Sequence, residues 1–278
     1  MDKFLQNKTG VLGLIIVMFF ILSAAFAPLL APHNPIANDI INQMKPPLFM
    51  DGGSTKNILG TDDLGRDILS RLIYGARISI TVGVFSVIIA FSFGSFLGAI
   101  SGYYKGWLDN LIMRIMDMLM AFPSILLAII IVAYMGPNLR NAMIAIGIIR
   151  IPSFARIIRA SVLEECEKDY VLAARAIGTN NFRIIFNAIF PNCMAPIIVQ
   201  ASLSFAGAVL DAAGLSFLGL GAQPPTPEWG AMIANGRTLI LRAWWVMCFP
   251  GIAIFLSVLG FNLLGDGLRD AMDPRQMD

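Results

Sequence analysis

The sequence is poor in charged residues and almost free of histidine. Its 278 residues include one histidine, His33, three cysteines and 14% charged residues, whereas soluble proteins carry about 25% charged residues. No H-E-x-x-H, G-x-S-x-G or Gly-x-x-x-x-Gly-Lys-Ser/Thr pattern occurs. Zinc chemistry, Ser/His/Asp catalysis and ATP binding by a phosphate loop therefore lack the residues they need. We expect no catalytic residue and no metal site, and the net charge of +2 gives no support for nucleic-acid binding.

Long apolar runs dominate the rest of the chain. Hydrophobic residues make up 57% of it, and a run of about 18 or more uncharged residues is long enough to cross a bilayer. The sequence predicts an all-α, polytopic membrane helical bundle with about six transmembrane helices. The six predicted spans cover residues 11–30, 78–102, 112–135, 138–158, 194–220 and 244–264.

The topology follows from the parity of the spans and from the positive-inside tendency. Lys3 and Lys8 precede the first span, which places residues 1–10 in the cytoplasm. Six spans then return the tail, residues 268–278, to the same side, so both termini are expected to be cytoplasmic. A cleaved signal peptide is the alternative for the first span, but a run of about 20 residues is longer than a signal core.

Residues 31–77 form the predicted external loop. Its second half, residues 59–71, mixes apolar and charged residues at helical spacing and predicts an amphipathic helix at the outer membrane surface. Residues 78–267 make up the remaining core, in which Gly94 and Gly98 form a small-xxx-small pair that lets helices approach closely. Arg150 and Pro152 break the fourth span in this interpretation.

Two carboxylates lie inside predicted spans, and such residues usually face a bundle interior or a water-filled cavity. Asp211 is a candidate for the translocation path, and Asp117 is a second candidate nearer the cytoplasmic interface. For each of them, a hydrogen-bonded position between helices is the alternative.

The cytoplasmic loop at residues 159–192 is too long for a simple connection. A first short helix is predicted over residues 169–178, with Gly178 at its end. Thr179 and Asn180 begin a turn, and a second helix over residues 182–190 is ended by Pro191. Two short helices around a tight turn could lie in a groove of a soluble partner.

The order of small residues in this loop resembles the coupling loop of bacterial ABC importer permeases. In that family Glu-Ala-Ala, three residues, Gly, nine residues and Ile-x-Leu-Pro follow one another. Here Ala173, Ala174, Gly178 and Pro191 match, whereas Leu172 stands where the family has Glu. Further stretches resemble the second permease of the peptide and nickel importers, namely residues 59–79, 117–128, 215–230 and 261–274.

The resemblance implies one subunit of a larger machine. Its partners would be a homologous permease, two ATP-binding subunits and an external or periplasmic substrate-binding protein, within a bacterial inner membrane. The chain itself would hold no cofactor, since the partner subunits use ATP and Mg. Leu172, Ala173, Ala174, Gly178, Thr179, Asn180 and Pro191 would contact those subunits. Short peptides are the expected substrate, nickel or a metal–chelator complex is the alternative, and a secondary transporter is a hypothesis from another class.

Overall fold

The fold is known from a computed structural model that describes residues 2–272. Residues 1 and 273–278 lie outside this range, so the predicted segments 1–10 and 268–278 are described only in part. Within the described range the chain is helical and contains no named strand. The α-helices are α1 (Asp2–Gln6), α2 (Lys8–Ala25), α3 (Ala27–Leu30), α4 (Ile68–Tyr104), α5 (Gly106–Ala121), α6 (Ser124–Met135), α7 (Leu139–Glu165), α8 (Asp169–Ala176), α9 (Asn181–Arg183), α10 (Met194–Phe217), α11 (Trp229–Gly236) and α12 (Trp245–Met272).

The membrane bundle expected from the apolar runs is confirmed. Among residues 2–272, five helical segments are long and apolar enough to cross a bilayer, and α5 with α6 makes a sixth if the pair is one bent span. Several helices extend beyond the predicted spans, because polar turns continue the helix on either side of the apolar run. The membrane boundaries themselves stay predictions.

The longest packing seam joins α4 to α7 through glycine. A side chain at Gly94 would meet the Ile151 carbonyl oxygen at 2.8 Å, and one at Gly98 would lie 3.1 Å from the Cα of Ala155. Because these neighbours are backbone atoms, only glycine permits this approach. The predicted close-packing role of Gly94 and Gly98 is confirmed.

Helix α2 packs along α12 in the same way. A Cβ at Gly10 would lie 2.9 Å from the Cα of Gly267, and Gly260 faces the side chain of Ile16. Helix α10 packs between α12, α4 and α7. The first span is therefore built into the bundle, which favours the anchor interpretation over a cleaved signal peptide.

The third predicted span, residues 112–135, is not one straight helix. Helices α5 and α6 meet at an angle of 92°, with Phe122 extended at φ −88° and ψ 139° between them. Pro123 explains the break, because proline disfavours helical backbone in the residue before it. The predicted break of the fourth span at Pro152 is wrong, because α7 continues through this residue from Leu139 to Glu165.

The predicted amphipathic surface helix at residues 59–71 is wrong for most of its length. Helix α4 begins only at Ile68, where the Asp67 carboxylate caps it by accepting from the Ser70 backbone N–H at 2.8 Å. Before that, Gly65 has φ +73°, a left-handed conformation that interrupts helical backbone. The helical spacing of the charges misled the prediction.

Most charged residues of this segment are instead buried within the loop, as Asp62, Arg66, Asp67 and Arg71 are. Arg66 donates through Nε to Asp62 Oδ2 at 2.7 Å, and both side chains are almost fully buried. The Trp245 indole N–H, at the start of α12, donates to the Thr61 carbonyl at 3.0 Å. The loop is thus tied to the first turns of α4 and α12 by buried polar contacts.

Candidate coupling surface and intramembrane ion pairs

The loop between α7 and α10 folds into two helical arms around a glycine turn. The first arm is α8, and the turn follows at Gly178, whose φ of +76° lies in the left-handed region. The Asn180 side chain then accepts from the Phe182 backbone N–H at 2.9 Å, which starts the second arm. This arrangement confirms a glycine-centred turn between two short helical segments.

The second arm does not end at Pro191 as predicted. Its backbone passes from α9 into a π-helical segment, Ile184–Ile189, then into a 3₁₀ turn, Phe190–Cys193, and directly into α10. Pro191 has no N–H to donate to the preceding turn, and the wider and tighter turns on either side accommodate this. The Asn192 amide donates to the Ala188 carbonyl at 2.9 Å. Irregular helical segments of this kind are frequent at functional sites.

One side of the two arms packs against the end of the bundle at which α7 ends. Its buried apolar residues form a single cluster with Ile158, Val162 and Cys166 near the end of α7. The arm residues in this cluster are Val171, Ile184, Ile185, Ile189 and Cys193. The arms therefore form a packed unit with α7 and are held in a defined position.

Tyr103, near the end of α4, binds both arms. Its hydroxyl donates to Asn181 Oδ1 at 2.8 Å in the second arm. The Arg175 guanidinium of the first arm lies over the same ring, with its Cζ 4.9 Å from the ring centroid. A single side chain thus fixes the angle between the arms and connects them to α4.

Glu165, the last residue of α7, makes a second connection. Its carboxylate accepts from Lys168 Nζ at 2.5 Å and from the Tyr170 hydroxyl at 2.6 Å. The Asn192 amide of the second arm donates to the same hydroxyl at 3.2 Å. Burial and the hydrogen bond to Glu165 raise the pKa of Tyr170 to about 12, so the phenol keeps its proton at physiological pH.

The arms also carry exposed apolar side chains outside this cluster. Leu172, Ile177 and Phe182 are 52%, 82% and 65% exposed, and we call these three residues the lever surface. Of the other predicted contact residues, Ala173, Gly178, Asn180 and Pro191 are exposed, while Ala174 and Thr179 are half-buried. Exposed apolar patches of this kind mark interaction sites.

Both predicted intramembrane carboxylates are paired with arginines of α7. Asp211 Oδ2 accepts from Arg150 Nη2 at 2.6 Å, and each side chain is 20% exposed. Asp117 Oδ1 accepts from Arg156 Nη2 at 2.5 Å, with side-chain exposures of 61% and 46%. The hydrogen-bonded alternative is therefore observed for both, and it does not exclude a position on the path.

Sequence reasoning missed the partners of these acids and a third ion pair. Asp109 of α5 accepts two hydrogen bonds from Arg159 of α7, each at 2.6 Å, and a further one from Ser101 of α4. The recurrence of arginine along α7, at positions 150, 156 and 159, was the available signal. The acid that pairs with Arg150 is on α10, and the other two acids are on α5, so the pairing could be recognised only from the fold.

Residues 94–278 match the family described as "Binding-protein-dependent transport system inner membrane component". The chain belongs to this family. Residues 1–47 also match the "N-terminal TM domain of oligopeptide transport permease C". The chain is accordingly an inner-membrane permease subunit of an ABC-type transport system, as the coupling-loop motif implied.

Curated relatives match nearly the whole chain. "Di/tripeptide transport system permease protein DppC" of Pseudomonas aeruginosa is 50% identical over 99% of this chain and 90% of its own length. "Dipeptide transport system permease protein DppC" of Alkalihalophilus pseudofirmus is 52% identical over 97% of this chain and 87% of its own. The protein with the same name in Escherichia coli is 50% identical over 98% and 91%.

The fold also matches a solved ABC transporter. A chain from "Inward facing conformations of the MetNI methionine ABC transporter" has a TM-score of 0.60 over 74% of this chain and 98% of its own, at 16% identity. At this identity the likeness establishes the fold alone. Helical packing of this type is therefore shared with membrane subunits of ABC transporters.

Proposed function

We propose that this permease forms the translocation path of an ATP-driven importer for short peptides, together with a second, homologous permease. The observation that carries the proposal is the near-full-length identity of about half to proteins named dipeptide or di/tripeptide transport permeases. A substrate-binding protein outside the membrane delivers the peptide, and two ATP-binding subunits inside supply the energy with ATP and Mg. Both termini lie in the cytoplasm in this arrangement.

The lever surface is the proposed contact with the ATP-binding subunits. Leu172, Ile177 and Phe182 present an apolar patch on a unit that is rigidly packed against α7. Closure of the ATP-binding subunits would displace this unit, and a conformational change requires contacts that differ between the two states. Leu172 replaces the acid of the family motif, so the contact from this position is apolar rather than ionic.

The connections of the lever determine what it moves. Tyr103 joins both arms to α4, and Glu165 joins the first arm to α7. Helices α4 and α7 are themselves in close contact at Gly98. We infer that the lever, α4 and α7 move as one body, and that the irregular turns at residues 184–193 allow α10 to change its angle to that body.

Asp211 is the proposed path residue, since its carboxylate lines a groove between helices. Asp117, whose side chain is more exposed, is a second candidate on the cytoplasmic side. A charged residue in a span is costly unless it faces protein or water. The proposed path therefore includes the groove beside Asp211 on α10 and passes Asp117 on α5.

The experiment is uptake by the complete complex in proteoliposomes, with the ATP-binding subunits and the external binding protein present. Radiolabelled dialanine should accumulate only when ATP and Mg are supplied on the side of the ATP-binding subunits. A complex with a hydrolysis-deficient ATP-binding subunit is the control. ATP-dependent accumulation of nickel without dialanine would contradict the peptide assignment, and accumulation without ATP would favour a secondary transporter.

A further inference from the structure

The ion pair between Arg150 and Asp211 connects two membrane-spanning helices, α7 and α10. Arg150 is near the middle of α7 and Asp211 is in the outer half of α10, 61 positions further along the chain. Removing two charges from water is costly, and an apolar pair of similar volume is often as stable as a buried ion pair. Helix packing alone therefore gives little reason for this pair.

The surroundings accommodate the guanidinium but leave it incompletely bonded. Gly207 lies one turn before Asp211, and a Cβ there would be 2.8 Å from Arg150 Nη1, so any larger residue would displace the arginine. Arg150 Nε is buried and has no hydrogen-bond partner among the described residues. A buried donor without a partner is costly, and a ligand oxygen that displaced the neighbouring side chains could relieve this cost.

Asp211 lines a groove whose other lining residues are apolar. The groove has a volume of about 430 Å³ and is bounded by α6, α10, α11 and α12. Gly230 of α11 packs against Ala213 of α10 beside the groove. The residues that line it with Asp211 include Ile125, Leu210, Gly214, Phe217, Ile233 and Ile254. A pocket with apolar walls and a few convergent polar groups is the usual form of a small-molecule site.

We propose that this pair binds the charged termini of a short peptide in transit, with Asp211 accepting from the α-ammonium and Arg150 donating to the α-carboxylate. A free peptide is a zwitterion. Its α-ammonium can therefore take the place of Arg150 beside Asp211, and its α-carboxylate can take the place of Asp211 beside Arg150. No charge is left unpaired during this exchange, which avoids the main cost of moving a zwitterion through an apolar path. The proposal rests on the proposed function and names the recognition chemistry of its path.

The decisive variant removes both charges at once. R150M/D211L replaces the ion pair by apolar side chains, and a purely structural pair should tolerate this change. We expect the variant complex to assemble, as co-purification of its partners will show, and dialanine uptake to fall by about tenfold or more. R140M is the matched control, because Arg140 is exposed near the start of the same helix and lies outside the groove.

Uptake by R150M/D211L within about twofold of the R140M control would overturn the proposal while leaving the proposed function intact. Failure of the proposed function is a different result, because the unaltered complex would then take up no dialanine. These two outcomes are distinguished in one experiment.

A second measurement decides the question if the double variant fails to assemble. Leu210 is 54% exposed and lines the groove, and in a C248S background the L210C thiol is the accessible one among the described residues. We expect a charged, membrane-impermeant thiol reagent to label it during turnover, and dialanine with its binding protein to slow the labelling. Absence of labelling, or labelling unaffected by dialanine, would overturn the proposal.

Discussion

Tyr103 provides the most direct test of how the lever is connected to the membrane helices. Its hydroxyl donates to Asn181 at 2.8 Å and its ring lies under the Arg175 guanidinium. Y103F removes the hydrogen bond and keeps the ring, while Y103L removes both contacts. The neighbouring Tyr104 is 51% exposed and contacts the ring of Tyr103 edge-on, so Y104L is the matched control.

The expected size of the effect follows from these two contacts. A hydrogen bond contributes about 1 kcal/mol net, and a partly exposed cation–π contact contributes about 0.5–1 kcal/mol. Y103L should therefore weaken the connection by about 2 kcal/mol and raise the detached fraction of the lever by about thirtyfold. Y103F should have about half this effect in free energy.

The assay compares ATP hydrolysis with peptide transport in the reconstituted complex. A detached lever still contacts the ATP-binding subunits through Leu172, Ile177 and Phe182, so hydrolysis continues. Movement of α4 and α7 then follows less often, and the number of ATP molecules hydrolysed per dialanine transported should rise. We expect the order Y103L, then Y103F, with Y104L close to the unaltered protein.

Unchanged coupling in Y103L, with the protein folded and assembled, would refute this account of the lever. An equal loss in Y104L and Y103L would also refute it, because it would indicate a general effect of removing an aromatic ring at the end of α4.

The remaining predictions concern stability and its dependence on pH. G98V should destabilise the protein by about 1–3 kcal/mol, since it forces a side chain onto the α7 backbone, whereas G251V, with nothing within 4 Å of its Cβ, should have a much smaller effect in chemical unfolding. Burial raises the pKa of Glu228, which caps α11. The folded state therefore binds this proton more tightly, and stability should fall as the pH rises from the ordinary carboxyl pKa to the raised one. E228Q should flatten this part of the stability–pH profile, and Y170F should lower stability by about 1 kcal/mol through loss of its hydrogen bond to Glu165.

The sequence predicted those parts of the fold that depend on local composition. Apolar runs located the membrane helices, and the spacing of Gly94 and Gly98 identified a close seam. Gly178 was correctly placed at a turn because glycine favours the left-handed conformation that commonly ends a helix. These features depend on a single segment and need no knowledge of its neighbours.

The errors arise where tertiary contacts override a local pattern. The charges of residues 59–67 have helical spacing, but Asp62 and Arg66 satisfy each other inside a buried loop. Proline was misjudged in both directions, because Pro123 breaks a span and Pro152 does not. The partner of Asp211 could not be predicted, since 61 positions separate it from Arg150.

The central claim is that the lever surface holds the ATP-binding subunits, and co-purification tests it most directly. Ile177 is 82% exposed and Leu241, after α11 on the predicted external side, is 97% exposed, so I177D and L241D add the same charge at the two ends of the molecule. The account predicts that the unaltered protein and L241D recover a second permease and two ATP-binding subunits, whereas I177D recovers the permease alone. Recovery of the ATP-binding subunits in full by I177D, or of a homo-oligomer without them by the unaltered protein, would contradict the account.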